Sequence, residues 1–294
     1  CGKIDPGVLK KAGLACPPHA GKECRLLRYR FACDCHNHSS CSPDGNDTVL
    51  EMRRRAQELG LWAHTLTDHS ECQKFPERYR PRVERAWEKM ALEIPQGGST
   101  RFYRGIELGQ PITDPKATRE ALSAGAFDFV LASVHNLPGQ KDFYYLNYTD
   151  KNVDPLLSDY FDHVLQVAKW GQFDSLAHLT YPLRYILAQP GLRVELSKYR
   201  EKIDAVLLEL IQQKKALEVN TSGLRQQIGD TLPDAGIVRR FYELGGTYVT
   251  LGSDAHRWAD VSAGIEEAMS MIYKTGFRHY TIYSKREPRL VPIE

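Results

Sequence analysis

Six of the ten histidines in this 294-residue sequence sit in short polar motifs, DCHNHSS, LTDHS, ASVHN, LAHLT and GSDAH, and each motif follows an apolar, strand-like run. Imidazole nitrogens and carboxylate oxygens gathered from the ends of many strands are the ligands of a multi-metal site. If residues 31–38 form a strand, Asp34, His36 and His38 share one face, because side chains alternate along a strand. Cys33 and Cys35 then face the outer packing layer, and their spacing to His36 and Cys41 matches no usual zinc-finger pattern. Asp254 and His256 repeat the two-residue spacing near the other end of the chain. His69 in TDH, Glu107 in GIELG, His135 in SVH and His178 in AHL occupy equivalent strand-end positions. One such element is as readily a hydrogen-bonded cluster. Satisfied core histidines would not be expected to choose that position six times, which points to a metal centre.

The elements that must carry these groups alternate along the chain. Strands are expected at 31–36, 62–67, 102–107, 127–133, 174–178, 216–220 and 247–252, with an eighth candidate at 280–283. Helical patterns lie between them, near 76–94, 155–170, 195–214, 233–244 and 261–274, and TVLEMRRRAQEL reads as a helix capped by Asp47 and stopped at Gly60. Alternation of this kind implies parallel strands with crossover helices. Because each of the first seven strands ends in a polar or coordinating residue, a closed barrel with one mouth is favoured over an open sheet, where such groups would gather at a switch point. The expected fold is therefore α/β, a distorted (β/α)7 TIM-like barrel with the metal site at its C-terminal mouth, over residues 31–294.

Composition narrows the function classes. With 39 basic and 37 acidic residues the formal charge is +2, so no global field selects nucleic acid or an anionic membrane. No apolar stretch approaches the roughly 20 residues of a membrane helix. Residues 1–30, with an excess of Lys and Arg and no signal-peptide run, read as an appended basic arm, and the start at Cys1 without Met as processing or a fragment. Seven unevenly spread cysteines read as reduced thiols of a cytoplasmic protein.

The ordered series DCHNHS, SPDG, TDH, GIE, SVH, AHL, NTSGLR and GSDAH resembles the PHP (polymerase and histidinol phosphatase) superfamily of metal-dependent phosphoesterases, from about residue 33 to the C-terminus. FDFVLASVHNLPG, GQFDSLAHLTYPLRY, LEVNTSGLRQ and ELGGTYVTLGSDAHRWADVSAG look like the monofunctional histidinol-phosphate phosphatases. The resemblance implies three divalent metals: one held by His36, His38, Glu107 and Asp254, a second by Glu107, His135 and His178, a third by Asp44, His69 and His256. Several relatives carry histidine where Asp44 stands, so this third site is harder and its metal more open; zinc, iron and manganese all suit the mixed nitrogen and oxygen set. Glu107, Asp254 and His178 are implied to be catalytic, and Arg184 and Arg225 to clamp phosphate, for which a planar guanidinium is better suited than lysine. Glu218 is expected to brace a ligand histidine, with contact to the substrate amine as the alternative, and Asp34 is a further candidate brace. Asn220 shares the face of Glu218. His19, His163 and His279 read as surface groups, and His64 as packed against a helix. Tyr144, Tyr145 and Tyr148 could wall a pocket or be buried under a folded loop.

The implied reaction is hydrolysis of a phosphate monoester, L-histidinol phosphate, in histidine biosynthesis, by a protein whose partner is that small molecule. The alternative is a PHP-type phosphodiesterase or exonuclease acting on nucleotides or nucleic-acid ends, which calls for a basic open groove. A third reading, a non-catalytic module, would be expected to have lost ligands; all nine positions carry coordinating side chains. Asp254→Ala and His178→Ala are expected to abolish turnover with little unfolding.

Overall fold

The computed structural model describes residues 27–294. Its main sheet runs β1 (Cys33–Asp34), β2 (Ala63–Leu66), β4 (Arg101–Gly109), β5 (Phe129–Ser133), β6 (Ser175–Leu176), β7 (Ala216–Asn220), β8 (Val249–Gly252), every pairing parallel. A short β3 (His69–Glu71) continues the stave of β2 past a break at Thr67 and Asp68 and also pairs with β4. Seven staves result, as expected. The ring nearly closes where the chain beyond β1 meets β8 and the chain after it: Cys35 N donates to Leu251 O at 2.8 Å, and Asn37 bridges to Ala255. That closure sets His36 and His38 beside Asp254 and His256.

The helices outside the ring are α1 (Val49–Glu58), α2 (Arg80–Leu92), α3 (Pro115–Ser123), α4 (Val153–Trp170), the single turn α5 (Leu183–Ile186), α6 (Arg200–Gln212), α7 (Ala235–Glu243) and α8 (Ile265–Thr275). The cap of α1 is Thr48, not Asp47: Thr48 and Glu51 form a reciprocal capping box, and the Asp47 carboxylate accepts from Trp258 N. Helix α3 is absent from the expected elements, although Asp114 caps it and Pro115 opens it. Its nine residues were too short to show a clear apolar period. The eighth strand candidate is β9 (His279–Ser284), which pairs antiparallel with β10 (Glu287–Pro292) as a hairpin outside the ring. Tyr280 OH reaches Cys33 Sγ, and Arg286 reaches Asp174, residues at the starts of β1 and β6. The hairpin therefore covers the end opposite the mouth.

Inside and around the ring, Leu131, Val219 and Leu251 pack with helix residues such as Val164, Leu207 and Met269 in one apolar core. Cys33, Cys35, Cys41 and Cys72 are free, buried thiols. The expected arm lies outside the described residues up to residue 26; Arg30 N donates to Glu294 O, tying the two ends of the described chain together. Among the described residues no helix is long and apolar enough to cross a membrane.

His64 is buried on the helix side of β2, edge-on to Phe102 and near Arg53 of α1, but neither ring nitrogen has a hydrogen-bond partner. Burial, and then the nearby Arg53 cation, lowers its pKa from 6.5 to about 3. Between those values the unfolded chain binds a proton that the folded chain refuses, so stability must fall as pH falls through this window. His64→Leu is expected to remove that penalty. Its stability relative to the parent protein should grow by about 1.4 kcal/mol per pH unit below pH 6, read from denaturant unfolding at pH 7 and pH 5. Parallel losses in the two proteins would refute this.

Candidate metal centre

Glu107 sits at the C-terminal half of β4, fully buried, in register with His69 on β3. Five imidazoles converge on its carboxylate. His69 Nδ1 lies 2.8 Å from Oε2, with His36 Nε2 at 3.4 Å and His38 Nε2 at 3.5 Å from the same oxygen. His178 Nε2 and His135 Nε2 stand 3.0 and 3.2 Å from Oε1. Asp254 adds a second carboxylate: its Oδ1 is 3.6 Å from His36, 3.3 Å from His38 and 3.6 Å from His256. Asp44, on the exposed SPDG turn, reaches His256 at 3.3 Å and His69 at 3.6 Å. All nine expected ligands thus form one continuous cluster at the barrel mouth.

Its electrostatics follow from burial opposed by charge. Burial would raise the Glu107 carboxyl, but the surrounding His69, His36 and His135 hold it well below the usual range. Asp254 is likewise kept ionised against burial, by His36, His38, His256 and Arg184. His38 is pushed well down, first by burial and then by the neighbouring His69 and His256 imidazoles. His178 and Asp254 have φ of 27° and 54°, a region costly for residues with a side chain and usually kept only where a site demands it.

The PHP domain family matches residues 34–222. A Thermotoga maritima protein called "Probable histidinol-phosphatase" is 31% identical over 256 residues, covering 86% of this chain and 96% of that protein. The chain belongs to the PHP family. A Lactococcus lactis protein named "Histidinol-phosphatase" is 25% identical, covering 85% of this chain and 94% of its own length. The crystal structure of histidinol phosphate phosphatase from Lactococcus lactis, complexed with zinc, L-histidinol and phosphate, shares the fold with a TM-score of 0.68 at 24% identity, covering 88% of this chain and 98% of that one.

The donor set of this PHP domain fits divalent cations. His69 Nδ1 and Glu107 Oε2 are 2.8 Å apart, yet neither makes a well-aligned hydrogen bond, and both are buried. Three groups of facing ligand atoms, His38/His69/His256, His36/His38/Glu107 and His69/Glu107/His135, are compact enough to hold an ion. Buried polar atoms without partners are costly, and a shared cation would satisfy them. The expected partition of ligands overlaps these groups without coinciding, since His38 and His69 each lie between two of them.

Bracing residues surround the PHP ligands. Glu218 Oε1 holds His36 Nδ1 at 2.6 Å and its Oε2 accepts from His178 N, the bracing role expected of it. Gly252 leaves room for that pair: a Cβ there would lie 2.3 Å from His36 Cβ and 2.5 Å from Glu218 Oε1. Asp34 braces no imidazole ring; it accepts from Ser253 N, Ser253 Oγ and Ser262 N and so fixes the loop that carries Asp254. Asn220 donates to Asp254 Oδ2. Sequence reasoning missed Glu71, whose Oε1 lies 2.8 Å from His135 Nδ1, and Asp68, which gathers Ser39 and Ser42 under His38. Both flank His69 in TDHSE, where two-residue alternation from that ligand was an available signal for Glu71 but not for Asp68.

Arg184 is buried beside Asp254, 3.4 Å from Oδ2, over the ring of Tyr181, and its Nε has no partner. Arg225 is placed differently. Its guanidinium donates to the carbonyls of Ser253 and Ala263, and it does not line the mouth cavity. His279 is exposed as expected, whereas His163 is partly buried with its Nε2 enclosed. Tyr144 and Tyr145 stand exposed at the rim, and Tyr148 is partly buried.

Proposed function

We propose that the protein is a metal-dependent phosphatase that hydrolyses L-histidinol phosphate to L-histidinol and phosphate, the activity its relatives' names describe, and that it serves histidine biosynthesis. The observation that carries this reading is the Glu107-centred cluster, with the Arg184 guanidinium at its edge, held by Asp254 and Ser222 while its Nε has no partner. The mouth cavity, about 760 Å³ and lined by His69, Glu107, His178, Arg184 and Asp254, has the size of a small-molecule site and not of a nucleic-acid groove.

His36, His38, Asp44, His69, Glu107, His135, His178, Asp254 and His256 would hold three divalent cations of the zinc, iron or manganese type. Such ions neutralise phosphoryl oxygens and acidify water for in-line attack on phosphorus. The chain's own groups do the rest. Arg184 donates N–H groups to the phosphate dianion, in a site where burial strengthens the attraction. Asp254 Oδ2 is occupied by donors from Arg184, Asn220 and Ser222. Its Oδ1 is thereby left facing the ligand imidazoles, placed to accept the proton of the attacking water. As the new P–O bond forms and the ester P–O bond breaks, the departing alkoxide takes up the proton that Asp254 accepted from the water and leaves as the alcohol, which returns Asp254 to its ionised form. Glu218 and Glu71 keep His36 and His135 oriented throughout.

A phosphate-release screen, after reconstitution with zinc, iron or manganese in turn, tests the proposal. A large preference for histidinol phosphate over generic monoesters and over diesters is expected; comparable diester cleavage would overturn it. Within that assay Arg184→Ala should raise KM and lower kcat for monoesters, together about 100-fold in kcat/KM, as for a lost charge-assisted contact. Arg225→Ala should raise KM by a smaller factor through the Ser253 carbonyl that carries Asp254. Unchanged constants in either variant would remove that arginine from the reaction.

A further inference from the structure

Tyr144 and Tyr145 are 65% and 68% exposed, in a fold that buries most of its other large aromatics. They meet edge to face with ring centroids 4.9 Å apart, and Tyr144 meets Tyr185 at 5.7 Å. From Tyr185 a continuous aromatic path leads inward: its OH is 2.9 Å from Tyr181 OH, and the Tyr181 ring is 4.9 Å from His178 and 4.5 Å from the Arg184 guanidinium. At the outer end stands Asp142. Its Oδ1 is fixed by Tyr144 N at 2.8 Å, while Oδ2 makes no hydrogen bond or ion pair among the described residues. Asp142, Tyr145, Tyr181 and Tyr185 all line the same cavity as the metal ligands.

We propose that Asp142, with Tyr145, Tyr181 and Tyr185, forms a subsite for the cationic end of the substrate, selecting monoesters that carry an ammonium or imidazolium group a few bonds from phosphate. The inference rests on the monoesterase reading above and adds what distinguishes one monoester from another. A carboxylate beside phenol rings is the arrangement that attracts an organic cation, through charge and through the faces of the rings. The basic groups of this mouth oppose it only in part. Arg184 is paired with Asp254, Lys74 and Arg78 come from the segment after β3, and Lys141, next to Asp142, is exposed and screened.

Asp142→Asn removes the charge and keeps the oxygen that caps Tyr144 N, so its melting temperature should match the parent. It is expected to lower kcat/KM about tenfold for histidinol phosphate, through KM, and to change glycerol 3-phosphate less than twofold. Calorimetric binding of L-histidinol to the metal-loaded protein should weaken by a similar factor. Equal losses on the cationic and neutral esters, or no loss on either together with unchanged L-histidinol binding, would overturn the subsite. A parent protein that releases phosphate from monoesters without favouring histidinol phosphate would instead sink the substrate assignment of the preceding section. In that case the ratio of phosphoethanolamine to glycerol 3-phosphate turnover in Asp142→Asn still decides the subsite, a fall in the ratio supporting it and an unchanged ratio refuting it.

Discussion

Glu107→Gln is expected to lower kcat/KM for histidinol phosphate by at least about a thousandfold, roughly 4 kcal/mol of transition-state stabilisation, and to reduce the metal content of the purified protein. Glutamine has nearly the same shape, so packing at this fully buried position is preserved while the negative charge is lost. That charge faces five imidazoles within 3.5 Å. Without it, cations held mainly by neutral nitrogens would lose the ligand that offsets their mutual repulsion. Elemental analysis alongside kinetics checks both halves of the expectation. A variant that keeps full metal content and turns over near the parent rate would show that Glu107 is not the hub of the centre.

Asp254→Asn should be the second large loss, about a hundredfold or more in kcat, with the fold intact. Asparagine can keep a carbonyl oxygen toward Arg184, Asn220 and Ser222, but it presents an amide to the imidazoles and cannot accept the water proton. Asp254→Ala differs in an instructive way. The sequence alone suggested an inactive, well-folded variant, yet the structure shows the Arg184 guanidinium, on a side chain only 10% exposed, paired with this carboxylate. Both variants leave the Arg184 charge without its counter-charge, a loss that typically costs about 3–5 kcal/mol, but asparagine keeps an oxygen acceptor facing the guanidinium and alanine leaves it with none. The alanine variant should therefore melt well below the asparagine variant when both are stripped of metal by a chelator. Equal melting temperatures would mean that Arg184 is balanced by other groups, and a near-native kcat in Asp254→Asn would remove Asp254 from the proton transfer.

The rank order of these effects reflects where each group stands. In the proposed mechanism Glu107 and Asp254 touch the reacting centre, so their loss should be felt mainly in the transition state. Arg184 and Asp142 are proposed to act on different ends of the substrate, and their substitution should separate into phosphate-wide and cation-selective losses. His64 lies on the far side of β2 and should alter acid stability with no effect on turnover at neutral pH.

Much of this molecule was legible in the order of its residues. Alternation along a strand is a local property, so His36 with His38 could be assigned a common face from spacing alone. Seven apolar runs ending in ligand-type residues implied a barrel mouth, because only there do the ends of all strands converge. Glu218 was likewise readable as a brace, since it shares the inward face of β7 with Asn220. Other features depend on distances that spacing does not encode. The two carboxylates that flank His69 act through His135 and through the serines beneath His38, contacts made only when β3 lies against β4 and the 39–42 loop folds over it. Arg184 and Arg225 each follow a strand end, yet one is buried beside Asp254 and the other is spent on backbone carbonyls, because the turn after β6 leads inward and the one after β7 runs toward the Ala263 loop. The candidate strand at 280–283 had the right composition, and it was excluded from the ring because β1 and β8 had already met and left no edge to extend. The sequence by itself thus determined which side chains could coordinate and which face each would take, since both follow from residue type and backbone period. Only the tertiary structure decided which of them meet, because ring closure joins residues more than 200 positions apart and no local rule reaches that far.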